Sequence, residues 1–327
     1  MDTDLAPAVY AALGAFALNT ILCPIIIPYL RKLKFGQQVR TDGPQTHLAK
    51  QGTPTMGGIM ILLSFAVAAA FYIGPHSESA ALLLVTLAFG AIGLADDYIK
   101  VSKKRSLGLR AWQKMLGQLL VTGAFAAYLV WGRQSPGQTS IFIPFTDGKL
   151  IDLGWMYIPF LFFVMLGTVN GANFTDGLDG LAAGVTVLIV AFFLIAAWAM
   201  GSPILPLSGA AAGSLLGFLL FNSHPAKIFM GDTGSLALGG FVAGAAFILR
   251  MPLFIAIVAA VYLIEVLSVI LQVGYFKLTH GKRIFKMAPI HHHFEKCGMK
   301  ETQVVAMFYI VTAILCLIGY LAGRQLI

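Results

Sequence analysis

The sequence predicts an all-α polytopic integral membrane protein with ten transmembrane helices and both ends of the chain outside. Three observations lead there. Only 11% of the 327 residues are charged, against about 25% in soluble domains, so a soluble core of this size would lack its polar shell. Mean hydropathy is +0.83, and Gly (35) and Phe (24) are frequent, as they are where helices pack in lipid. The third is an uneven division of basic residues between alternate connections.

A bilayer core of about 30 Å needs about 20 apolar residues per helix. Runs of that kind lie at Pro7–Leu30, Pro54–Ile73, Ala80–Ala95, Gln113–Trp131 and Gly154–Val169, then at Leu181–Met200, Leu205–Phe221, Ser235–Leu249, Leu253–Phe276 and Thr302–Gly323. The chain opens Met1-Asp2-Thr3-Asp4, acidic where a signal peptide is basic, so the first run reads as a retained span. Eighteen of the 22 lysines and arginines fall after odd-numbered spans; the opposite side holds only Arg133, Lys149, Arg250 and Arg324. The positive-inside rule therefore puts the odd-to-even connections in the cytoplasm. Between residues 132 and 153 two apolar runs flank Asp147-Gly148, the signal of a small β-hairpin in an outer loop.

The net charge of +8 reads here as topology and attraction to anionic lipid rather than to nucleic acid. Cys23, Cys297 and Cys316 are too scattered for a disulfide framework or a metal knuckle.

The chemistry-bearing residues gather on the connections assigned to the cytoplasm. Lys50 to Gly58 brings glycines and hydroxyls, Thr55 among them, to the start of span 2. Taken alone, that is a Pro-initiated helix with small residues for packing. Span 3 ends in Asp96-Asp97-Tyr98-Ile99-Lys100. Adjacent carboxylates at a helix C-terminus oppose the dipole and repel each other, which suits a divalent cation or proton transfer better than a solvated patch. Asn170 to Gly180 carries Asn170, Asn173, Asp176 and Asp179, and Asn222 to Ser235 carries Asn222, Phe229 and Asp232. Asx turns and caps explain single residues of this kind, whereas two oxygen-rich loops with hardly a cation suit Mg²⁺ and a nucleotide sugar. The last connection holds His291, His292 and His293, whose consecutive positions point apart and suit contacts to a pyrophosphate better than zinc. Glu265, Ser268 and Gln272 share one face of span 9. Glu265 reads as tying helices together inside the bundle, and Gln272 lies nearer the cytoplasmic end.

Gly52–Gly58, Ala95–Lys100, Asn173–Gly184, Asn222–Ser235 and Met287–Glu295 together resemble the bacterial phospho-N-acetylmuramoyl-pentapeptide transferases, over the whole chain and in order. The Asp-Asp-x-x-Lys motif and Asp232 are shared with the wider polyprenyl-phosphate sugar-1-phosphate transferases; the segment from Ala288 to Glu295 is similar to the muramoyl-pentapeptide branch. The resemblance implies transfer of phospho-MurNAc-pentapeptide from UDP-MurNAc-pentapeptide to undecaprenyl phosphate, giving lipid I and UMP, with Mg²⁺, in the bacterial cytoplasmic membrane. It implies Asp232 as principal Mg²⁺ ligand, Asp96 as the group that deprotonates the acceptor phosphate, and Asp97 as an aid to metal or charge placement. It implies a donor site of Lys50, Thr55, Lys100, Asn170, Asn173, Asp176, Asp179, Asn222, Phe229, Gln272, His291, His292 and His293, with Phe229 stacking on uracil. Direct attack by the lipid phosphate and an aspartyl-phosphate intermediate are both compatible with it. Members of the family commonly form homodimers.

The expected organisation is a single transmembrane catalytic domain, 1–327, with its active site on loops 31–53, 96–112, 170–180, 222–235 and 277–301. The rival readings are a UDP-GlcNAc transferase, separated chiefly by the histidine segment, and a transporter, whose polar site would lie near the bilayer midplane.

Overall fold

The computed structural model describes residues 4–32, 50, 52–103, 107–133 and 137–327. Most of the first basic connection, residues 33–49 and 51, and the basic residues 104–105 therefore lie outside the described residues. The architecture is mainly helical: α1 (Ala6–Lys32), α2 (Gly58–Ala70), α3 (Ser77–Ser102), α4 (Ala111–Ala127), α5 (Tyr157–Thr175), α6 (Leu181–Ala199), α7 (Leu205–Asn222), α8 (Gly231–Ile248), α9 (Ile255–Val258), α10 (Ala260–Leu278), α11 (Ile290–Lys296) and α12 (Glu301–Ala322). Between α4 and α5 two short antiparallel strands, β1 (Ser140–Phe142) and β2 (Leu150–Asp152), pair Ile141 with Ile151 across a turn containing Asp147 and Gly148.

Among the described residues nine helices are long and apolar enough to cross a membrane. The helix at the second expected span, Pro54–Ile73, is shorter than its apolar run. The backbone at Met56 takes φ 72°, so helix begins only at Gly58 and runs 13 residues, about 20 Å at 1.5 Å per residue. The ninth run, Leu253–Phe276, is not one helix either. It starts as a 3-10 turn at Pro252–Phe254, continues as α9 and breaks at Ala259, where φ and ψ are −111° and 26°, before α10 resumes.

Three further boundaries move in ways that matter to function. Helix α3 continues to Ser102, so Asp96 and Asp97 sit inside it rather than at its end. Helix α5 continues to Thr175, which takes Asn170 and Asn173 out of the expected loop and onto a helix. Helix α8 begins at Gly231, not Ser235, so Asp232 lies in its first turn. The histidines too are helical, on the short α11.

At the centre stands α8, buried at every position from Thr233 to Ile248. It packs on its neighbours backbone to backbone, which only glycine allows. A Cβ on Gly58 would come within 2.1 Å of the Gly234 nitrogen, and one on Gly93 within 2.1 Å of the Asp232 carbonyl oxygen. On the other side of the bundle Gly209 and Gly213 of α7, four apart on one face, receive the carbonyls of Ala8 and Ala12 from α1. Without a hydrophobic drive between helices in lipid, such close approach supplies the dispersion contacts that hold the bundle.

Candidate active site

Three carboxylates, Asp96 and Asp97 from α3 and Asp232 from α8, place oxygens within 4.8 Å of one another. The Gly93 contact, one turn below Asp97, is what lets the two helices come so close. Two ammonium groups enter the cluster. Lys100 Nζ lies 2.6 Å from Asp96 Oδ2, 3.1 Å from Asp232 Oδ2 and 3.6 Å from Asp97 Oδ1. Lys114 Nζ, from α4, lies 2.8 Å from Asp232 Oδ2 and donates to Asn173 Oδ1 at 3.0 Å. Asn173 in turn donates to Asp232 Oδ1 and Ser235 Oγ, at 3.0 and 2.8 Å.

The three aspartates are not equivalent. Asp97 accepts from the backbone N–H groups of Asp232 (3.2 Å) and Thr233 (2.9 Å) and from the Thr233 hydroxyl (2.7 Å). It thereby caps α8 from a neighbouring helix, satisfying donors that a helix start leaves unpaired. Asp96 accepts from the Leu109 N–H at 2.8 Å and pairs with Lys100, while Asp232 is held by the two lysines and Asn173. Hard oxygens at this spacing suit a hard cation rather than a soft metal.

Asp176 lies just past α5. Burial raises its carboxyl to about 7, aided by the charges of Asp232 and Asp97; the Gly231 N–H and Lys100 pull the other way. Thr55 Oγ1 stands beside Gly231, whose φ is 75°, so the entry to α2 closes over the start of α8. Phe229, half-buried, is pinned by its backbone, donating to the Pro54 carbonyl and accepting from Gly57 N–H.

A second cluster surrounds Asp179. Lys50 Nζ lies 2.6 Å from Asp179 Oδ1 and 2.5 Å from Glu301 Oε1. Glu301 also accepts from the Asp179 N–H at 2.8 Å. Asp179 Oδ2 accepts from Ala226 N–H and lies 3.2 Å from His224 Nδ1. Asn222 joins the same loops, accepting from Gly180 N–H and donating to the Ile228 carbonyl.

The third group is the histidine helix. His291 is fully buried against Gly177 and faces Glu265; His292 Nδ1 lies 2.8 Å from Glu295; His293 Nδ1 accepts from Lys286 N–H. Gln272 uses both ends of its amide on the approaching chain, accepting from Ile284 and Phe285 N–H and donating to the Phe285 carbonyl. Asn170 stands apart from all three groups, exchanging hydrogen bonds with Gln118 of α4.

The segment from Asp176 to Gly180 touches every group: Asp176 the carboxylates, Gly177 the histidine helix, and Asp179 the Lys50 cluster. Sequence reasoning missed Lys114, Glu301, His224 and Gln118 as members. Lys114 counted only as loop basicity, and the one available signal for Glu301 was a carboxylate opening a helix. Glu265 does tie helices together, joining α10 to α11 through the Ile290 N–H and facing His291.

Carboxylates and lysines from α3, α4 and α8 thus meet on one polar face of a bundle whose helices are long and apolar enough to cross a membrane. A family model described as Glycosyl transferase family 4 matches residues 79–250, which contain the carboxylate cluster. A second, the phospho-N-acetylmuramoyl-pentapeptide-transferase signature 1, matches residues 50–62. Proteins named phospho-N-acetylmuramoyl-pentapeptide-transferase are similar over nearly the whole chain. That of Acetivibrio thermocellus is 51% identical, covering 98% of this chain and 97% of its own. One from Clostridium botulinum is 52% identical (97% and 97%), and that of Clostridioides difficile 48% (96% and 97%). The chain belongs to the phospho-N-acetylmuramoyl-pentapeptide-transferase family.

Proposed function

We propose that this protein transfers phospho-MurNAc-pentapeptide from UDP-MurNAc-pentapeptide to undecaprenyl phosphate, releasing UMP and leaving lipid I in the bilayer. The observation that carries the reading is the meeting of Asp96, Asp97 and Asp232 with Lys100 and Lys114 at one end of a lipid-facing bundle. An acceptor with a polyprenyl tail stays in the membrane, and a nucleotide donor arrives from water. The reaction therefore belongs at the mouth of such a bundle, on its cytoplasmic face in the bacterial inner membrane. The whole chain acts as one catalytic unit, since residues from Lys50 to Glu301 close a single set of loops.

An oxygen of the acceptor phosphate forms a bond to the phosphorus attached to MurNAc, and the bond from that phosphorus to the UMP oxygen breaks. Asp96 takes the acceptor's proton where the phosphate arrives protonated. Lys100 and Lys114 offset the charge gathering on the phosphates, where a low-dielectric setting strengthens each contact. Asp97 keeps the start of α8, and with it Asp232, in place. Asp232 would hold Mg²⁺, which when bound supplies charge neutralisation of the pyrophosphate. Lys50, Thr55, Asn173, Asp176, Asp179, Asn222 and Phe229 bind the nucleotide end of the donor, and Gln272 with His291, His292 and His293 the part beyond the pyrophosphate. Asn170 supports this site through Gln118.

The test is UMP release from purified protein with UDP-MurNAc-pentapeptide or UDP-GlcNAc, each with and without undecaprenyl phosphate and Mg²⁺. Release requiring all three components and the muramoyl donor is the expected result. Comparable rates with UDP-GlcNAc would assign the chain to the alternative donor, and release without the lipid acceptor would remove the transferase reading.

A further inference from the structure

We infer that Glu265, inside the span α10, is a positioning residue that sets the tautomer and orientation of His291 on the histidine helix. The inference rests on the reading that the histidine segment belongs to the donor site. It concerns a residue that neither the carboxylate cluster nor the nucleotide contacts employ.

Glu265 is fully buried, and a carboxylate there is retained only with a partner. Its partners among the described residues lie on α11. Oε2 accepts from the N–H of Ile290, the first residue of α11, at 3.0 Å. Oε1 lies 3.1 Å from His291 Nδ1, an ion-pair distance not aligned as a hydrogen bond. Among the described residues neither Oε1 nor either ring nitrogen of His291 makes a hydrogen bond, although all three atoms are buried. A carboxylate facing Nδ1 favours the proton on Nδ1 and leaves Nε2 as an acceptor. That nitrogen points at Gly177: a Cβ there would come within 2.1 Å of it. Nε2 is thus packed, fully buried, against the segment that joins the three clusters, so the orientation of this ring bears on where that segment sits.

Gln272 stands on the same face of α10, about 10.5 Å further along at 1.5 Å per residue, and clamps Ile284 and Phe285. The two side chains fix the histidine connection at two heights. Of the two, Glu265 is the one that faces an imidazole, that of His291, whose ring centroid lies 4.1 Å from that of His292.

The experiment uses full-length protein in lipid nanodiscs with ¹⁵N-labelled histidine, the His291 signal assigned by its loss in His291→Ala. The expected wild-type signal is the Nδ1–H tautomer. In Glu265→Gln the amide oxygen can still accept from Ile290, but its NH₂ faces Nδ1 and favours Nε2–H, so the signal should switch. UMP release should fall about 10–100-fold, the scale seen when the carboxylate behind a metal-ligating histidine is removed. Combining Glu265→Gln with His291→Ala should cost no more than His291→Ala alone. Ser268→Ala, on the same face but donating only to its own helix, should change neither signal nor rate. An unchanged tautomer in Glu265→Gln, or losses that multiply in the double variant, would overturn the inference. If Glu265→Gln does not fold, the wild-type spectrum decides: Nδ1–H supports the inference and Nε2–H overturns it. Normal turnover in His291→Ala would instead remove the histidine from the donor site, and with it the reading on which this inference stands.

Discussion

Gly93→Ala tests the geometry of the carboxylate cluster without touching a carboxylate. The added methyl would lie 2.1 Å from the Asp232 carbonyl oxygen, 2.3 Å from its carbon and 2.6 Å from the Thr233 nitrogen. All three are backbone atoms at a helix start, so no rotamer change relieves the clash. Reaching an ordinary 3.4 Å contact requires α3 and α8 to part by about 1.3 Å. Overpacking of this kind costs about 1–3 kcal/mol. The same separation stretches the bonds from the Asp232 and Thr233 N–H groups to Asp97, now 3.2 and 2.9 Å, and carries Asp232 away from Lys100. A misplacement of about 1 Å at reacting groups costs roughly 100-fold in rate. The expected result is a lowered melting temperature, UMP release reduced about 100-fold per folded molecule, and a raised Mg²⁺ requirement. Gly167→Ala, which meets nothing within 4 Å, is the control and should be neutral or mildly stabilising. Turnover in Gly93→Ala within about threefold of wild type, at an unchanged melting temperature, would refute the argument that this contact sets the site.

Asp97→Asn should lower both stability and turnover, because a carboxamide cannot accept all three bonds and turns an N–H toward other donors; the loss should be about 1–3 kcal/mol. Asp96→Asn should remove turnover with little change in melting temperature, and equal destabilisation of the two variants would contradict the division of roles. Asp176 has a folded-state pKa raised from 3.8 to about 7, so the folded protein binds the extra proton. Stability in EDTA should therefore fall as pH rises from about 4 to 7 and then level off, with an upper bound of roughly 4 kcal/mol. Asp176→Asn should flatten that slope; melting curves for both proteins over this range check it. Topology is open to single-cysteine labelling once the exposed Cys297 is replaced: positions beside Lys103 and Lys286 should label from one side of the membrane and one beside Lys149 from the other. Labelling of all three from the same side would undo the span order.

Nine of the expected spans were legible because a long apolar run is at home as a helix in lipid, and among the described residues nine long apolar helices lie where runs are. Their ends were not, since a polar residue near a helix end reads as loop. Asn170 and Asn173 remain helical because Asn170 donates to the Leu166 carbonyl within its own helix and to Gln118, and Asn173 reaches Asp232. The break at Ala259 has no glycine or proline to announce it; Pro252 marks only the preceding turn. Within the site, Asp96, Asp97 and Asp232 were recognisable because carboxylates crowded near a membrane need a reason. Lys114 and Glu301 were not. Each has an ordinary structural excuse in sequence, and only tertiary proximity, to Asp232 in one case and Lys50 in the other, reveals the pairing.

The burial of α8 bears on how the chain enters its membrane. This helix has the lowest hydropathy of the nine candidate spans, carries Gly234, Gly239, Gly240 and Gly244, and shows no face to lipid. Alone in a bilayer it gains little, for glycine contributes almost no apolar surface and leaves its peptide groups thinly covered. Its partners α3 and α5 precede it in the chain, so synthesis delivers the walls before the helix they enclose. Insertion of α8 is then an act of assembly more than of partitioning. A chain that lost α3 would fail to retain α8 as well, and Asp232 would never meet the membrane surface where its neighbours wait.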